Sequence, residues 1–141
     1  MIDVEPKVAE DPTKGPYYFG GEPKFTPWDQ ASGWLTAFDA ATGKEKWKYH
    51  ASKPLIGGVV ATAGGVVFTG ELSGTFEAFD AQTGKILYEQ KVGGPIGGGL
   101  VTYESEGKQY VAVVSGYIGS YNDFSPDLGG ANPTITVFAL K

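Results

Sequence analysis

Residues 33–47, GWLTAFDAATGKEKW, return 41 positions later as GTFEAFDAQTGKILY at 74–88. The two copies are identical at Gly33/Gly74, Ala37/Ala78, Phe38/Phe79, Asp39/Asp80, Ala40/Ala81, Thr42/Thr83, Gly43/Gly84 and Lys44/Lys85. A second pair, IGGVVATAGGVVFTGELSG (56–74) and IGGGLVTYESEGKQYVAVVSG (96–116), starts at an offset of 40 and ends at 42, so an insertion falls inside it. The tail TITVFALK (134–141) echoes LTAFDAATGK without its turn. A period of 40–42 residues fits a four-stranded propeller blade, and it also fits a helical repeat of the HEAT or armadillo kind.

Local chemistry separates the two. VVATAGGVVFTGE carries two β-branched runs split by Ala63-Gly64-Gly65, a hairpin signature. TFEAFDA alternates apolar and polar residues, Gln82-Thr83-Gly84-Lys85 turns, and ILYEQKV resumes the alternation. No window holds a glycine-free helical stripe. Strands are therefore expected at 34–39 and 45–50, then 58–62, 66–70, 75–80 and 85–92, then 97–103, 109–115 and 134–140. The fold class is all-β: a partial β-propeller of about two to two and a half four-stranded antiparallel blades, against about four to eight in a closed ring. Residues 1–32 read as an irregular, Pro-rich wrapping segment whose aromatics Tyr17, Tyr18, Phe19, Phe25 and Trp28 need a surface to pack on. Residues 33–141 form the blade segment, with a long loop at 116–133. Long loops of this kind are often functional.

Composition narrows the function. Sixteen acidic against eleven basic residues give a net charge of −5, the wrong sign for nucleic acid or an anionic membrane. The absence of cysteine excludes disulfides, Cys-based zinc sites and thiol catalysis, and a single histidine, His50, excludes a multi-histidine metal site in one chain. No stretch is apolar for long enough to span a bilayer, and MIDVEPKVAEDPTKGP lacks the basic and apolar regions of a secretory signal. Asp39 and Asp80 occupy equivalent turns, which favours turn capping over an acid–base pair. His50 reads as a blade-edge residue. The glycine clusters Gly57-Gly58, Gly64-Gly65, Gly93-Gly94 and Gly97-Gly98-Gly99 match no phosphate loop and read as close blade packing. Asn122, Asp123, Asp127 and Asn132 offer oxygen ligands without the EF-hand spacing.

The pattern Ala37-x-Asp39-x-x-Thr42-Gly43-Lys44-x-x-Trp47 resembles the tryptophan-docking motif of quinoprotein dehydrogenases, in which the indole lies flat between neighbouring blades. In the second copy Tyr88 takes the Trp position. Further segments follow in the order found at the C-terminus of PQQ-dependent methanol and ethanol dehydrogenases. They are Tyr17-Tyr18-Phe19-Gly20-Gly21, Gly33-Trp34, Pro54-Leu55-Ile56-Gly57-Gly58, Ala61-Thr62-Ala63-Gly64-Gly65, Phe68-Thr69-Gly70, Thr102-Tyr103-Glu104 and Gly107-Lys108-Gln109-Tyr110-Val111-Ala112-Val113. The resemblance runs from about residue 15 to 141, and would cover about the last quarter of an eight-bladed periplasmic enzyme.

That resemblance implies oxidation of a primary alcohol to an aldehyde. It implies PQQ as cofactor, a carboxylate base, and Ca²⁺ or a lanthanide as Lewis acid. Base and metal ligands belong to other blades of the family, so no catalytic or metal-binding residue is assigned here, and the chain alone is expected to be inert. Two cofactor contacts map onto it. One is the aromatic of the PL-W-GG segment, which falls on Ile56; plain core packing is the alternative role of that residue. The other falls on Ser120, beside Tyr121. The implied partners are the remaining blades, a partner subunit, or further copies closing a ring. A non-catalytic scaffold module of the bacterial envelope is the alternative from a different class.

Overall fold

The computed structural model describes residues 2–6, 21–116 and 132–139, with side chains from residue 26 onward. The chain divides into two compact units, Met1–Ala31 and Ser32–Lys141. In the first unit β1 (Ile2–Pro6) pairs antiparallel with β2 (Gly21–Phe25), Ile2 opposite Phe25 and Pro6 opposite Gly21. The expectation of an irregular 1–32 missed this ladder. Pro6 and Pro23 suppress the strand signal in the sequence, yet a two-stranded ribbon tolerates proline because half of its N–H groups point away from the partner strand. Tyr17, Tyr18, Phe19 and Gly20 lie outside the described residues.

The second unit is all strand and turn among its described residues. β3 (Gly33–Phe38) pairs with β4 (Glu45–Ala51). β5 (Val60–Ala61), β6 (Val66–Gly70), β7 (Thr75–Asp80) and β8 (Ile86–Lys91) form a four-stranded antiparallel sheet in sequence order. β9 (Leu100–Ser105), β10 (Lys108–Ser115) and β11 (Thr134–Ala139) form a three-stranded one with β10 central. All nine strands expected from the sequence are present, and the partial propeller stands. β5 shrinks from the expected 58–62 to Val60 and Ala61, and β9 begins at Leu100 rather than at 97.

The repeat is visible in the backbone. β3–β4 and β7–β8 each carry a register shift at the same place, between Ala37 and Phe38 and between Ala78 and Phe79. The central strands of the middle sheet are buried on both faces: β6 from Val67 to Gly70 and β7 from Thr75 to Phe79. Alternation sends their side chains to two different seams. Val67 and Phe79 join Leu35, with Trp47, Tyr49, Leu55 and Ala81 packed against them, in the first seam, toward β3–β4. Phe68, Phe76 and Ala78 join Ile96, Leu100, Val111 and Val113 in the second, toward β9–β11. β8 is exposed along its whole length.

Register also corrects one reading of the repeat. Aligning the two IGG runs at offset 40 matches Ile56 with Ile96. In space, Pro54 O accepts from Leu72 N–H (3.0 Å) as Pro95 O accepts from Gly116 N–H (2.9 Å). That makes Pro54 the counterpart of Pro95 and Leu55 the counterpart of Ile96. Leu55 packs on the first seam and Ile96 is fully buried in the second.

Candidate functional site

The two docking turns are built alike from the same residues. Asp39 Oδ1 accepts from Ala41 N–H (3.2 Å), Thr42 N–H (2.8 Å) and Thr42 Oγ1–H (2.8 Å). Asp80 Oδ1 accepts from Gln82 N–H (3.1 Å), Thr83 N–H (2.8 Å) and Thr83 Oγ1–H (2.7 Å). The glycine that closes each turn has positive φ, +69° at Gly43 and +72° at Gly84. The threonine hydroxyl and then the backbone N–H groups lower both aspartate pKa values below the usual carboxylate range. Turn capping is thus what these aspartates do.

The second turn receives a ring from the preceding sheet. Trp47 Nε1–H donates to Ala81 O at 3.0 Å, and its ring stacks on Phe79 with 6.2 Å between centroids. A Cβ added to Gly84 would lie 2.7 Å from Trp47 Cδ2 and Cε3, so the indole occupies space that only glycine leaves open. Lys46 Nζ reaches Gln82 Oε1 at 2.9 Å beside it. In the next seam Tyr88 meets Phe138 edge-on, its hydroxyl turned back to Gln90.

Polar contacts that the sequence did not reveal complete the first seam. Tyr49 Oη–H donates to Glu77 Oε1 at 2.7 Å, and Glu77 is buried. Ser52 N–H (2.9 Å) and Ser52 Oγ–H (3.0 Å) donate to the buried Glu71, which also takes Ser73 Oγ–H at 2.6 Å. Burial raises Glu77 to about 7. No motif marks these pairs, because their partners are 28 and 19 residues apart and only the paired sheets bring them together. In the alternating sequence of β7, Glu77 instead reads as part of a solvent face.

The sheets' β5 and β9 edges meet at the glycine clusters. Gly58 N–H donates to Gly98 O at 3.1 Å, and a Cβ on Gly57 would lie 3.0 Å from Ile96 O. Close packing is therefore the role of Gly57, Gly58 and Gly98, whereas Gly65, with φ of +78° and nothing within 4 Å of an added Cβ, serves its turn. Ile56 precedes them in the β4–β5 connection, is 40% exposed, and belongs to neither core cluster. Val59 nearby is also exposed. Ser120, Tyr121, Asn122, Asp123 and Asp127 lie outside the described residues, so of the two expected cofactor contacts only Ile56 is described. His50 stacks on the exposed Trp34 at 4.2 Å, opposite it across β3–β4, while Lys48 Nζ sits 4.2 Å from the same ring. Among the described residues no three His, Cys, Asp or Glu side chains are grouped to hold a metal ion. No helix there is long and apolar enough to cross a membrane.

Comparison with known proteins places this architecture. The family model PQQ_2, described as outer membrane protein assembly factor BamB, matches residues 31–118. The 1-butanol dehydrogenase (cytochrome c) of Thauera butanivorans is 39% identical over 81% of this chain and 17% of its own length. A quinoprotein ethanol dehydrogenase of Pseudomonas aeruginosa is 42% identical over 77% of this chain and 18% of its own. The crystal structure of quinohemoprotein alcohol dehydrogenase from Comamonas testosteroni superposes with a TM-score of 0.69 at 34% identity, covering 83% of this chain and 17% of that one. The chain therefore spans less than a fifth of the length of these curated relatives. With the repeat, the docked indole and a family model matched over residues 31–118, the chain belongs to this propeller family, and it is similar to a segment of the quinoprotein alcohol dehydrogenases.

Proposed function

We propose that this chain supplies blades to a periplasmic PQQ-dependent dehydrogenase that oxidises a primary alcohol to an aldehyde, and that it has no turnover by itself. The observation that carries this reading is Trp47 docked on the Asp80–Gly84 turn of the next sheet, in a chain whose relatives are quinoprotein alcohol dehydrogenases. When bound, the quinone takes up the two electrons the alcohol carbon gives, with Ca²⁺ or a lanthanide polarising its carbonyl. The residues described here fit a wall of such a chamber and not its metal centre. Ile56 offers an exposed aliphatic surface beside a glycine-lined edge, suited to packing on a flat ring but without the hydrogen bond an indole would donate. Ile56 and Ser120 are our proposed cofactor contacts.

The remaining blades are the proposed partner. Phe38 is the repeat counterpart of Phe79, yet Phe38 is 61% exposed and Phe79 is fully buried under Trp47 and Tyr49. An aromatic from an adjoining blade would cover Phe38 in the same way. The experiment mixes the chain with PQQ, Ca²⁺ or La³⁺, a primary alcohol and an artificial electron acceptor, alone and with the other blades of a quinoprotein dehydrogenase. Turnover should require the blades. Turnover by the chain alone would overturn the claim of inertness. Stable association with no turnover and no PQQ uptake would favour the envelope-scaffold reading, which the description of the matched family supports.

A further inference from the structure

The two seams of the second unit are held by different chemistry. The second is hydrocarbon against hydrocarbon: Phe76 stacks on Phe138 at 4.7 Å and on Phe68 at 5.8 Å, above Ile96, Val111 and Val113. The first carries a carboxyl group in its middle. Glu77 is 1% exposed, its Oε1 accepts from Tyr49 of β4, and its Oε2 has no hydrogen-bond partner. Three donors converge on neighbouring Glu71, and only one on Glu77. The charged and titratable groups around Glu77 are Tyr49 on β4, Glu71 at the β6–β7 turn, and Glu89 and Lys91 on β8. Glu89 lies directly opposite Glu77 across the ladder, and Lys91 Nζ is spent on Ser73 O at 2.9 Å. From β6, Thr69 is paired with Glu77, but its hydroxyl donates to Gly58 O.

We propose that Glu77 is a proton-operated latch on the first seam: protonated, it lets β3–β4 close on the middle sheet through Tyr49, and ionised, it loosens that seam while the second stays shut. An ionised carboxylate here would be a buried charge with one donor, beside two other carboxylates, and water must enter to solvate it. A neutral carboxyl leaves one O–H without an acceptor, a smaller cost than an unpaired buried charge. Burial is the largest cause raising Glu77 to about 7, the charges of Glu71 and Glu89 add to it, and the Tyr49 hydrogen bond and Lys91 oppose it. Tyr49 is itself pushed above the usual phenol range, first by burial and then by its bond to Glu77, so it remains a donor throughout. The sign follows. The folded state holds the proton more tightly than the unfolded chain, so the seam's stability is full below the ordinary glutamate pKa and is lost as pH rises through about 7. This inference does not depend on the quinone reading.

Hydrogen exchange on the full chain tests it, with rates corrected for the intrinsic effect of pH. Between about pH 5.5 and 8.5, protection of β4 should fall by about tenfold or more while β10 holds. Glu77→Gln keeps the acceptor for Tyr49 and cannot ionise, so it should abolish the pH dependence of β4. Tyr49→Phe removes a bond that favours the ionised form, so the transition should move to higher pH. That variant carries the test if Glu77→Gln does not fold. Protection of β4 that is independent of pH in the parent chain would overturn the proposal. So would a dependence that survives Glu77→Gln, a midpoint unmoved by Tyr49→Phe, or equal loosening of β4 and β10.

Discussion

Gly43 and Gly84 occupy the same position of the repeat in different surroundings. Both have positive φ, but a Cβ on Gly43 meets nothing within 4 Å, while one on Gly84 runs into Trp47. Gly43→Ala should therefore cost about 1 kcal/mol, the backbone penalty alone. Gly84→Ala should cost about 2–4 kcal/mol, because the indole must also leave its dock and its bond to Ala81 O. Urea denaturation of the two variants reads the difference, and equal losses would mean that the dock contributes nothing. Glu106 is a second conformational case. It is the one non-glycine with positive φ among the described residues, paired with Gly107 in the two-residue β9–β10 loop. Two such residues in succession make the hairpin turn that prefers Asn-Gly, so Glu106→Asn should stabilise the chain by about 0.5–1 kcal/mol, read as a rise in melting temperature. The first pair was legible in the sequence because the turn repeats. The second was not, since Glu106 is a poor turn residue held there by the ladder on either side.

At the scale of elements, alternation in TFEAFDA and VVFTG located β6 and β7 and their turns. It could not show that both faces of β7 are buried, because Thr75 and Glu77 look like a solvent face. The partner that covers Glu77 is Tyr49 of β4, 28 residues away in sequence, as Ser52 is 19 residues from the Glu71 it donates to. The same blindness hid the Pro54–Pro95 equivalence, where backbone hydrogen bonds overrule the more conspicuous IGG alignment. Two consequences belong to elements. Phe76→Ala empties the centre of the second seam and should cost about 3–5 kcal/mol by denaturation. The capped turns set the acid limb of stability. Asp39 and Asp80 have lowered pKa values, so their contribution is present above the ordinary aspartate range and is lost as pH falls through the lowered values. With both changed to Asn, stability should fall less steeply with acid below about pH 4. An unchanged slope would remove the turns from that limb.

Over the whole molecule, a propeller repeat is stable only through its neighbours, and the cost of one substitution depends on how many neighbours are present. Phe38 and Phe79 make that dependence measurable, because the repeat gives them the same strand position and the same turn after it. Phe79 lies under Trp47 and Tyr49, and Phe79→Ala should cost the chain about 3–5 kcal/mol. Phe38 is largely exposed, so Phe38→Ala in the isolated chain should cost less than about 1 kcal/mol. If an adjoining blade docks an aromatic ring on Phe38 in the proposed assembly, the same substitution there should approach the cost at Phe79. Comparing both variants by denaturation, alone and assembled, therefore measures the missing contact directly. A Phe38→Ala cost that stays small in the assembly would mean that the seam beyond β3 is closed by something other than the repeat's own rule.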